Sequence, residues 1–238
     1  MANNNPPKFE AIIYEVTGPV ATITLNRPEM ANAQNTQLID EVDAAFDLAD
    51  ADDRVRVVVL AGRGRHFSSG HDLKALVGDT EPDEWRLMRE TPEGKYHHEK
   101  VMYFDRCLRI RNFRKPTIAA VQGKCIAAGV MLACMCDLIV ASDDASFQNP
   151  VLRMTGAAVE LLVEPWEMPA RKAKEFLLTA SVLTAVEAER LGMVNRVVPR
   201  DDLEDAVREM AETIAKVPPA TAQRSEEHTS ELQSHLNL

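Results

Sequence analysis

One stretch of the chain has residues of the right types to hold a developing negative charge with its main chain. Within Lys115–Ser142, the small residues Ala127–Gly129 directly precede an apolar, helix-compatible segment, Val130–Cys136. Small side chains let another molecule approach the main chain closely, and the first N–H groups of a helix attract an oxygen that carries negative charge. The pattern therefore predicts main-chain hydrogen-bond donors that face an oxyanion.

A second stretch that invites a chemical interpretation is the loop Gly62–Leu73, in which glycines stand beside basic residues. Such a composition occurs in phosphate-binding loops. The spacing here, however, matches neither the P-loop pattern nor the dinucleotide-binding fingerprint. The loop is therefore not assigned to phosphate binding on its own pattern.

Composition excludes several classes of protein. The net charge of −10 argues against a nucleic-acid binder, which needs clustered Lys and Arg side chains for its phosphate contacts. No apolar run is long enough to cross a bilayer and the N-terminus has no signal layout, so we expect a cytoplasmic protein without membrane contact. The cysteines at positions 107, 125, 134 and 136 lack metal or redox spacing and are expected to be buried thiols, and no metal site is predicted.

The elements that position these stretches begin with two β-rich segments. Glu10–Val16 and Val20–Leu25 are separated by a glycine and a proline, which favours a hairpin. Apolar positions at a helical period predict a helix over Thr36–Leu48, with Asn35 as its N-cap. The continuous apolar run Val55–Ala61 predicts a strand buried on both faces. This succession predicts an α/β fold of repeated β-β-α units.

The rest of the chain carries further helix and strand patterns. A polar, irregular segment over residues 75–95 is predicted to be a mobile lid. Short strands are expected at Thr117–Val121, Asp143–Pro150 and Val194–Val198, the first of them followed by a turn at Gly123-Lys124. Helices are predicted at Tyr96–Phe113, Pro169–Thr179, Thr184–Leu191 (ended by Gly192) and Asp201–Val217.

The chain is expected to hold one core domain with short flanking segments. Residues 1–8 are predicted to be a disordered leader, residues 9–200 the core, and residues 201–223 the start of a truncated C-terminal helical region. Residues 224–238 include RSEEHTSELQSH, which looks like the conceptual translation of a DNA-sequencing adapter. We therefore expect this tail to be foreign to the natural sequence, and it takes no part in the fold prediction.

Several segments, taken together, resemble the crotonase superfamily, also called enoyl-CoA hydratase/isomerase. The matching segments are VATITLNRPEMANA (20–33), RVVVLAGRGRHFSSGHDLK (56–74), KPTIAAVQGKCIAAG (115–129), CDLIVASDDASFQNP (136–150), RKAKEFLLTA (171–180) and AVEAERLGMVNRVVP (185–199). Each is weak alone, but their occurrence in the family's order over most of residues 10–215 is specific. The resemblance implies a crotonase-like spiral of β-β-α units that binds acyl-coenzyme A thioesters.

The resemblance also implies that two backbone N–H groups hold the thioester oxygen. Matching the family's G-x-D-(I/L)-K loop places one donor at His71, and matching its G-x-x-x-G-G-G run places the other at Ala128. Loss of one such donor costs ~3 kcal/mol of transition-state stabilisation. The imidazole of His71 is either an inactive loop side chain or a polar, proton-sharing group beside the thioester. The substrate-binding positions implied in this way are Met30, Ala31, Ala33, Ser69, Gly70, His71, Asp72, Leu73, Lys74 and Ala128.

The catalytic acids depart from the family's pattern. Its hydratases use two glutamates, and the matching positions here hold Met131 and Val151. Neither side chain accepts or donates a proton, so the usual addition of water lacks its acid and base.

A replacement carboxylate would come from nearby sequence. Glu160, between apolar neighbours, is the first candidate as acid or base, because burial would raise its pKa toward neutrality. The alternative for Glu160 is a structural carboxylate, paired for instance with Arg153. Glu164 and Glu167 rank after it, and Asn149 is a residue that orients a water without acting as its base.

Functions from different classes fit these observations. The first is an acyl-CoA thioester enzyme that stabilises a thioester enolate and catalyses hydration, a double-bond shift or thioester hydrolysis. The second is a non-catalytic acyl-CoA-binding protein that kept the pocket and lost the acids, and the third is a structural scaffold without CoA binding. Coenzyme A would enter with the substrate, so no separate cofactor is expected. The resemblance implies a homotrimer or a dimer of trimers for the full-length protein.

Overall fold

The computed structural model describes residues 8–77, 87, 90–154 and 162–222, and within them the chain forms two β-sheets with helices packed around them. The main sheet contains, side by side, β1 (Ile12–Thr17), β2 (Val20–Leu25), β3 (Val57–Gly62), β4 (Thr117–Val121), β6 (Leu138–Ser142) and β9 (Arg196–Val198). The second sheet contains β5 (Lys124–Ile126), β7 (Ser146–Gln148) and β8 (Leu183–Thr184). Strands β1 and β2 are antiparallel, and the other neighbours in the main sheet are parallel.

Helices occupy most of the segments between strands. They are α1 (Thr36–Ala51), α2 (Leu73–Val77), α3 (Pro92–Glu99), α4 (Asp105–Arg111), α5 (Ala128–Cys134), α6 (Val151–Met154), α7 (Glu164–Glu167), α8 (Ala170–Thr179), α9 (Ala185–Leu191) and α10 (Leu203–Ile214). A π-helical turn, Lys100–Phe104, joins α3 to α4, and short 3-10 turns lie at Pro28–Met30 and Arg200–Asp202. Among the described residues, no helix is both long and apolar enough to cross a membrane.

Both faces of the main sheet are apolar and covered. Side chains alternate along a strand, and in β3 Val58 belongs to one hydrophobic cluster while Val57 belongs to another. Helix α1 packs on the first face through buried side chains such as Phe46. Helix α10 covers the second face through buried Leu203 and Val207. This explains why the β3 sequence is continuously apolar.

After β4, the chain alternates between the two sheets. It runs from β4 in the main sheet to β5 in the second, then through α5 back to β6 and on to β7. Strand β5 is fixed at its side by a bridge between Cys125 and Ser68. This alternation brings the start of α5 against the loop that contains Ser68.

Several predicted elements are confirmed, in both halves of the chain. The hairpin of β1 and β2 forms as expected. Helix α1 is capped by Asn35, whose Oδ1 accepts the Leu38 N–H at 3.0 Å. Gly192 ends α9 with φ 87°, in the left-handed conformation that favours glycine.

Other predictions need correction. Gly123 makes the expected turn, but Lys124 already begins β5, a strand too short to show any periodicity. The helix predicted from Tyr96 begins at Pro92 and contains the π-helical turn. The segment predicted as a lid has helical ends, since α2 reaches Val77 and α3 begins within it, whereas residues 78–86 and 88–89 lie outside the described residues. Residues 1–7 of the leader and 223–238 of the tail also lie outside them.

Candidate active site

The loop that carries the first predicted donor crosses Gln34 in an extended conformation. The Gln34 N–H donates to the Gly70 carbonyl at 2.8 Å, and the Asp72 N–H donates to the Gln34 carbonyl at 2.9 Å. Main-chain N–H groups alternate in direction along an extended segment. Because the Asp72 N–H faces Gln34, the His71 N–H points to the opposite side of the loop.

The second predicted donor stands at the start of α5, directly after a residue with an unusual backbone. Ala127 has φ 50° and ψ −117°, a conformation that glycine adopts freely and that costs an L-residue about 1–2 kcal/mol. Its N–H donates to the Gln148 carbonyl of β7 at 2.9 Å, which anchors the turn. The N–H of Ala128 is among the first helix amides, which have no partner within the helix. It is therefore directed outward from the start of α5.

Gly70 brings these two segments into contact. A Cβ atom built at Gly70 would lie 2.9 Å from the Ile126 carbonyl oxygen and 3.4 Å from the Ala128 nitrogen. The Ile126 N–H also donates to the Ser68 carbonyl at 2.9 Å. A side chain at position 70 would push the segments apart. The structure thus brings together the two segments whose amides, at His71 and Ala128, were predicted as donors.

A buried polar network holds this loop, and the sequence analysis did not single it out. Ser68 Oγ donates to the Asn32 carbonyl at 2.9 Å and accepts from the Gly70 N–H at 3.2 Å and from Gln34 Nε2 at 3.2 Å. Asn32 Nδ2 in turn donates to the His66 carbonyl at 2.9 Å. Small polar residues are common in loops, and only the burial of these three side chains reveals their role, so sequence carried no signal for them.

The imidazole of His71 is enclosed by aromatic neighbours. It lies against Tyr103, with ring centroids 3.9 Å apart and planes tilted by 36°. Tyr103 comes from the π-helical turn, and His98 of α3 meets it edge-on at 6.0 Å. Burial, with a smaller contribution from His98, lowers the pKa of His71 to about 4. The ring is therefore neutral at pH 7 and adds no positive charge beside the donors.

The positions matched to the coenzyme-binding loops fall on two adjoining turns. One is the 3-10 turn that ends at Met30 and continues to Ala31, and the other runs from Ser69 into α2. They are tied together because the Ser69 N–H donates to the Ala31 carbonyl at 3.0 Å. Met30 is 36% exposed and Leu73 is 54% exposed, whereas Ala33 is buried. Exposed apolar side chains therefore flank the junction of the turns.

Asp72 differs from its neighbours because its carboxylate is already engaged. It forms an ion pair with Arg27 at 2.9 Å, and its Oδ1 accepts the Ala75 N–H at 3.2 Å. Burial acts to raise the pKa of Asp72, and the hydrogen bonds from Arg27 and from the α2 backbone outweigh it and lower the pKa. These contacts hold the loop onto α2. Lys74, by contrast, is exposed on α2.

The two positions at which the family's hydratases carry glutamates are apolar and buried. Met131 lies on α5 and Val151 begins α6, and both are almost fully excluded from solvent. Neither transfers a proton. Glu160, the predicted replacement, falls within residues 155–161, which lie outside the described residues.

Two carboxyl groups on α7 are largely buried close to these positions. Glu164 is 1% exposed, and its Oε1 accepts from Asn149 Nδ2 at 2.8 Å. Glu167 Oε1 lies 3.9 Å from Arg111 Nη1. Burial raises the pKa of both carboxyls and brings that of Glu167 to about 7, with Arg111 opposing the increase and Glu164 adding to it. Both were expected to rank after Glu160, because their burial is not visible in the sequence pattern.

An apolar cavity lies beside the loop that carries the first donor. Its walls come from α1, the π-helical turn, α4 and α5, and include Leu38, Val42, Met102, Tyr103, Ile110 and Leu132. Tyr103 also packs against His71, so it joins the cavity to the donor loop. The volume of the cavity is about 20 Å³, which is room for about one water molecule, so a hydrocarbon group would fit only if the side chains that line it moved.

Comparison with known proteins finds one family over nearly the whole chain. The sequence profile of the Enoyl-CoA hydratase/isomerase family matches residues 15–237. EchA13 of Mycobacterium tuberculosis, named as an enoyl-CoA hydratase, is 44% identical over 233 residues, which span 92% of this chain and 73% of the relative.

Solved structures give the same result. A probable enoyl-CoA hydratase from Mycobacterium smegmatis is 47% identical, covers 94% of this chain and 87% of its own, and superposes with a TM-score of 0.86. A monofunctional enoyl-CoA isomerase from M. smegmatis is 27% identical, covers 94% of each chain and has a TM-score of 0.76. These matches confirm the predicted α/β fold class. The chain therefore belongs to the enoyl-CoA hydratase/isomerase family, within the crotonase superfamily.

Proposed function

We propose that this chain binds acyl-CoA thioesters and stabilises the enolate formed from them with the main-chain N–H groups of His71 and Ala128. The contact at Gly70 carries the proposal, because it holds the loop with His71 against the start of α5. An enolate places negative charge on the thioester oxygen. Two fixed N–H donors stabilise that charge without reorganising, and each contributes ~3 kcal/mol.

The coenzyme portion of the substrate is proposed to lie along the two adjoining turns. Their members are Met30, Ala31, Ala33, Ser69, Gly70, Leu73 and Lys74. Exposed Met30 and Leu73 offer apolar contacts to the pantetheine, and exposed Lys74 offers a positive charge to the phosphates. Asp72 contributes by fixing the loop through Arg27.

The acyl group is proposed to enter the apolar cavity. Tyr103 packs against His71 and also lines the cavity, so a thioester held at the donors has its hydrocarbon chain next to Met102 and Ile110. The cavity holds about 20 Å³, room for about one water molecule, so the acyl chain would enter only as the side chains that line it move aside. Each methylene buried in this way stabilises binding by about 0.8 kcal/mol, less the cost of moving those side chains.

The reaction within the family is a narrower proposal. Hydration and a double-bond shift both require a proton-transfer group in addition to the donors. From the sequence, Glu160 is the first candidate for this role, ahead of Glu164 and Glu167. If it acts, E160Q should slow turnover of crotonyl-CoA by about tenfold or more. Unchanged turnover in E160Q would remove Glu160 from the mechanism.

A second candidate function is non-catalytic binding of acyl-CoA. The observation that favours it is that Met131 and Val151 occupy the two usual acid positions. Neither residue has a titratable group, and both are buried. Such a protein would bind the thioester and leave it unchanged.

One experiment separates these functions. The full chain is titrated with butyryl-CoA by calorimetry, and the recovered thioester is analysed by mass spectrometry for deuterium at its α-carbon after incubation in D₂O. Binding with deuterium incorporation supports the enolate proposal. Binding without incorporation, and without turnover of crotonyl-CoA, supports the non-catalytic function. Absence of binding contradicts both.

Three further features are proposed. The family implies no resident cofactor, since coenzyme A arrives with the substrate, and a trimer or a dimer of trimers. The absence of a signal layout in the sequence implies a cytoplasmic protein. Sedimentation tests the assembly, and a monomer at micromolar concentration would contradict it.

A further inference from the structure

A single amide side chain joins a buried carboxylate to the start of α6. Asn149 Nδ2 donates to Glu164 Oε1 at 2.8 Å, and Asn149 Oδ1 accepts the Val151 N–H at 3.2 Å. Asn149 is itself 3% exposed. The Glu164 carboxylate therefore lies close to Val151, the position at which the family's hydratases carry a glutamate.

A short series of contacts links this carboxylate to the segment of the second donor. Asn149, which holds Glu164, directly follows Gln148, whose carbonyl accepts the Ala127 N–H at 2.9 Å, and Ala128 is the next residue. Glu164 also lies near the opposite end of α5, because its charge helps to raise the pKa of the Cys134 thiol, after burial, Glu167 and Cys125. Glu164 is therefore beside α5, the helix whose first residue is Ala128.

Among the described residues, one oxygen of Glu164 has no partner. Oε2 is buried and has no hydrogen-bond partner among the described residues, while Oε1 is held by Asn149. A buried polar atom without a partner costs about 1–3 kcal/mol. Such atoms are rare in native proteins and call for an explanation other than stability.

We propose that Glu164 is the carboxylate that moves a proton at the acyl chain of the bound thioester, a role that rests on the proposed function. Oε2 takes a proton from the α-carbon, and the electron pair of the broken C–H bond forms the C=C bond of the enolate. The negative charge passes to the thioester oxygen, where the N–H groups of His71 and Ala128 stabilise it. In the reverse step the carboxyl returns a proton to carbon, so no oxidant or co-reactant is needed.

Neighbouring groups set the protonation of Glu164. Burial raises its pKa, and the hydrogen bond from Asn149 lowers it. The titratable groups that face it are Glu167 on the same helix and Cys134 on α5, and Arg111 of α4 lies against Glu167. Asn149 is therefore a positioning residue, and its removal should raise the pH at which Glu164 becomes a base.

The test measures deuterium incorporation at the α-carbon of butyryl-CoA, together with calorimetric binding and thermal unfolding. E164Q should lower the exchange rate by about 100-fold or more while butyryl-CoA still binds. N149A should retain exchange, with the midpoint of its pH profile moved upward. The matched control is E175Q on α8, an exposed glutamate paired with Lys172 at 2.8 Å, which should behave as the unmodified chain.

The results that would overturn the role of Glu164 differ from those that would overturn the proposed function. Unchanged exchange in E164Q, or loss of exchange in E160Q instead, overturns the role of Glu164. If E164Q does not fold, the N149A profile decides, and an unmoved midpoint overturns the role. An unmodified chain that binds butyryl-CoA without exchange overturns both the role of Glu164 and the enolate proposal, and leaves only thioester binding. A chain that binds no thioester overturns both proposals.

Discussion

The contact at Gly70 can be tested by adding one methyl group. Gly70 has φ +89°, and a Cβ atom there would lie 2.9 Å from the Ile126 carbonyl oxygen. Nonbonded carbon contacts are favourable at about 3.5–4.0 Å, so the carbonyl must retreat by roughly half an ångström or more. G70A should therefore separate the loop with His71 from the start of α5 with Ala128.

The chain offers a closely matched control. Gly192 has φ +87°, nearly the same as Gly70, but a Cβ atom there meets nothing within 4 Å. Both substitutions carry the cost of a left-handed L-residue, about 1–2 kcal/mol of the free energy of unfolding. Only G70A also displaces the proposed donors, and a misplacement of about 1 Å can lower a rate by about 100-fold.

The assays are chemical denaturation and α-carbon exchange of butyryl-CoA. We expect G192A to lose stability and keep its exchange rate, and G70A to lose more stability and to exchange about 10–100-fold more slowly. If G70A exchanges as fast as G192A and is no less stable, the two segments do not depend on their contact. The proposed pair of donors would then be refuted.

Four further predictions concern stability. A127G should raise the free energy of unfolding by about 1 kcal/mol, because Ala127 holds a backbone that glycine adopts freely, and a less stable variant in denaturant titration would contradict this. D72N should lower it by about 2 kcal/mol through loss of the bond from Arg27, which denaturation at pH 7 would detect; equal stability would show that the pair is dispensable. The pKa of His71 is lowered from 6.5 to about 4, so the unfolded chain binds more protons between these values and stability falls as pH falls through them. Melting curves of H71Q should therefore lose less stability between pH 6.5 and pH 4 than those of the unmodified chain. An unaltered pH profile of H71Q would show that His71 does not cause the loss. The pKa of Glu167 is raised from 4.5 to about 7, so the folded chain binds more protons and stability falls as pH rises across that range. In melting curves, E167Q should make stability nearly independent of pH between these values. If stability still falls over this range in E167Q, another group causes the fall.

The local sequence pattern was sufficient to predict those helices and strands that are long or that begin or end at a characteristic residue. The hairpin, the capped helix α1 and the end of α9 at Gly192 were predicted because alternation, an N-cap and a glycine are local signals. Strand β5 was missed since it has three residues and is defined by its partners, β7 and Ser68. Long-range pairing leaves no mark on so short a segment.

In the candidate site, too, features with a local sequence signal were predicted and features that depend on long-range contacts were not. The start of α5 was predicted from its residues and the loop with His71 from the resemblance to the family, and the fold brings the two segments together. The network around Ser68 and the bond between Asn149 and Glu164 were not predicted, because they join residues distant in sequence. Burial decides whether such polar side chains matter, and burial is a property of the folded chain.

The apolar cavity shares α5 and the contact between Tyr103 and His71 with the donor-bearing segments, whereas its walls from α1 and α4 lie apart from the donors. Leu38 of α1 and Ile110 of α4 line the cavity, and neither is among the atoms that crowd the Gly70 position. Under the proposed acyl site, smaller side chains at these two positions would enlarge the cavity from a direction that does not disturb the contact at Gly70. Variants at α1 and α4 therefore offer a way to change acyl-chain preference with the donor segments left as they are.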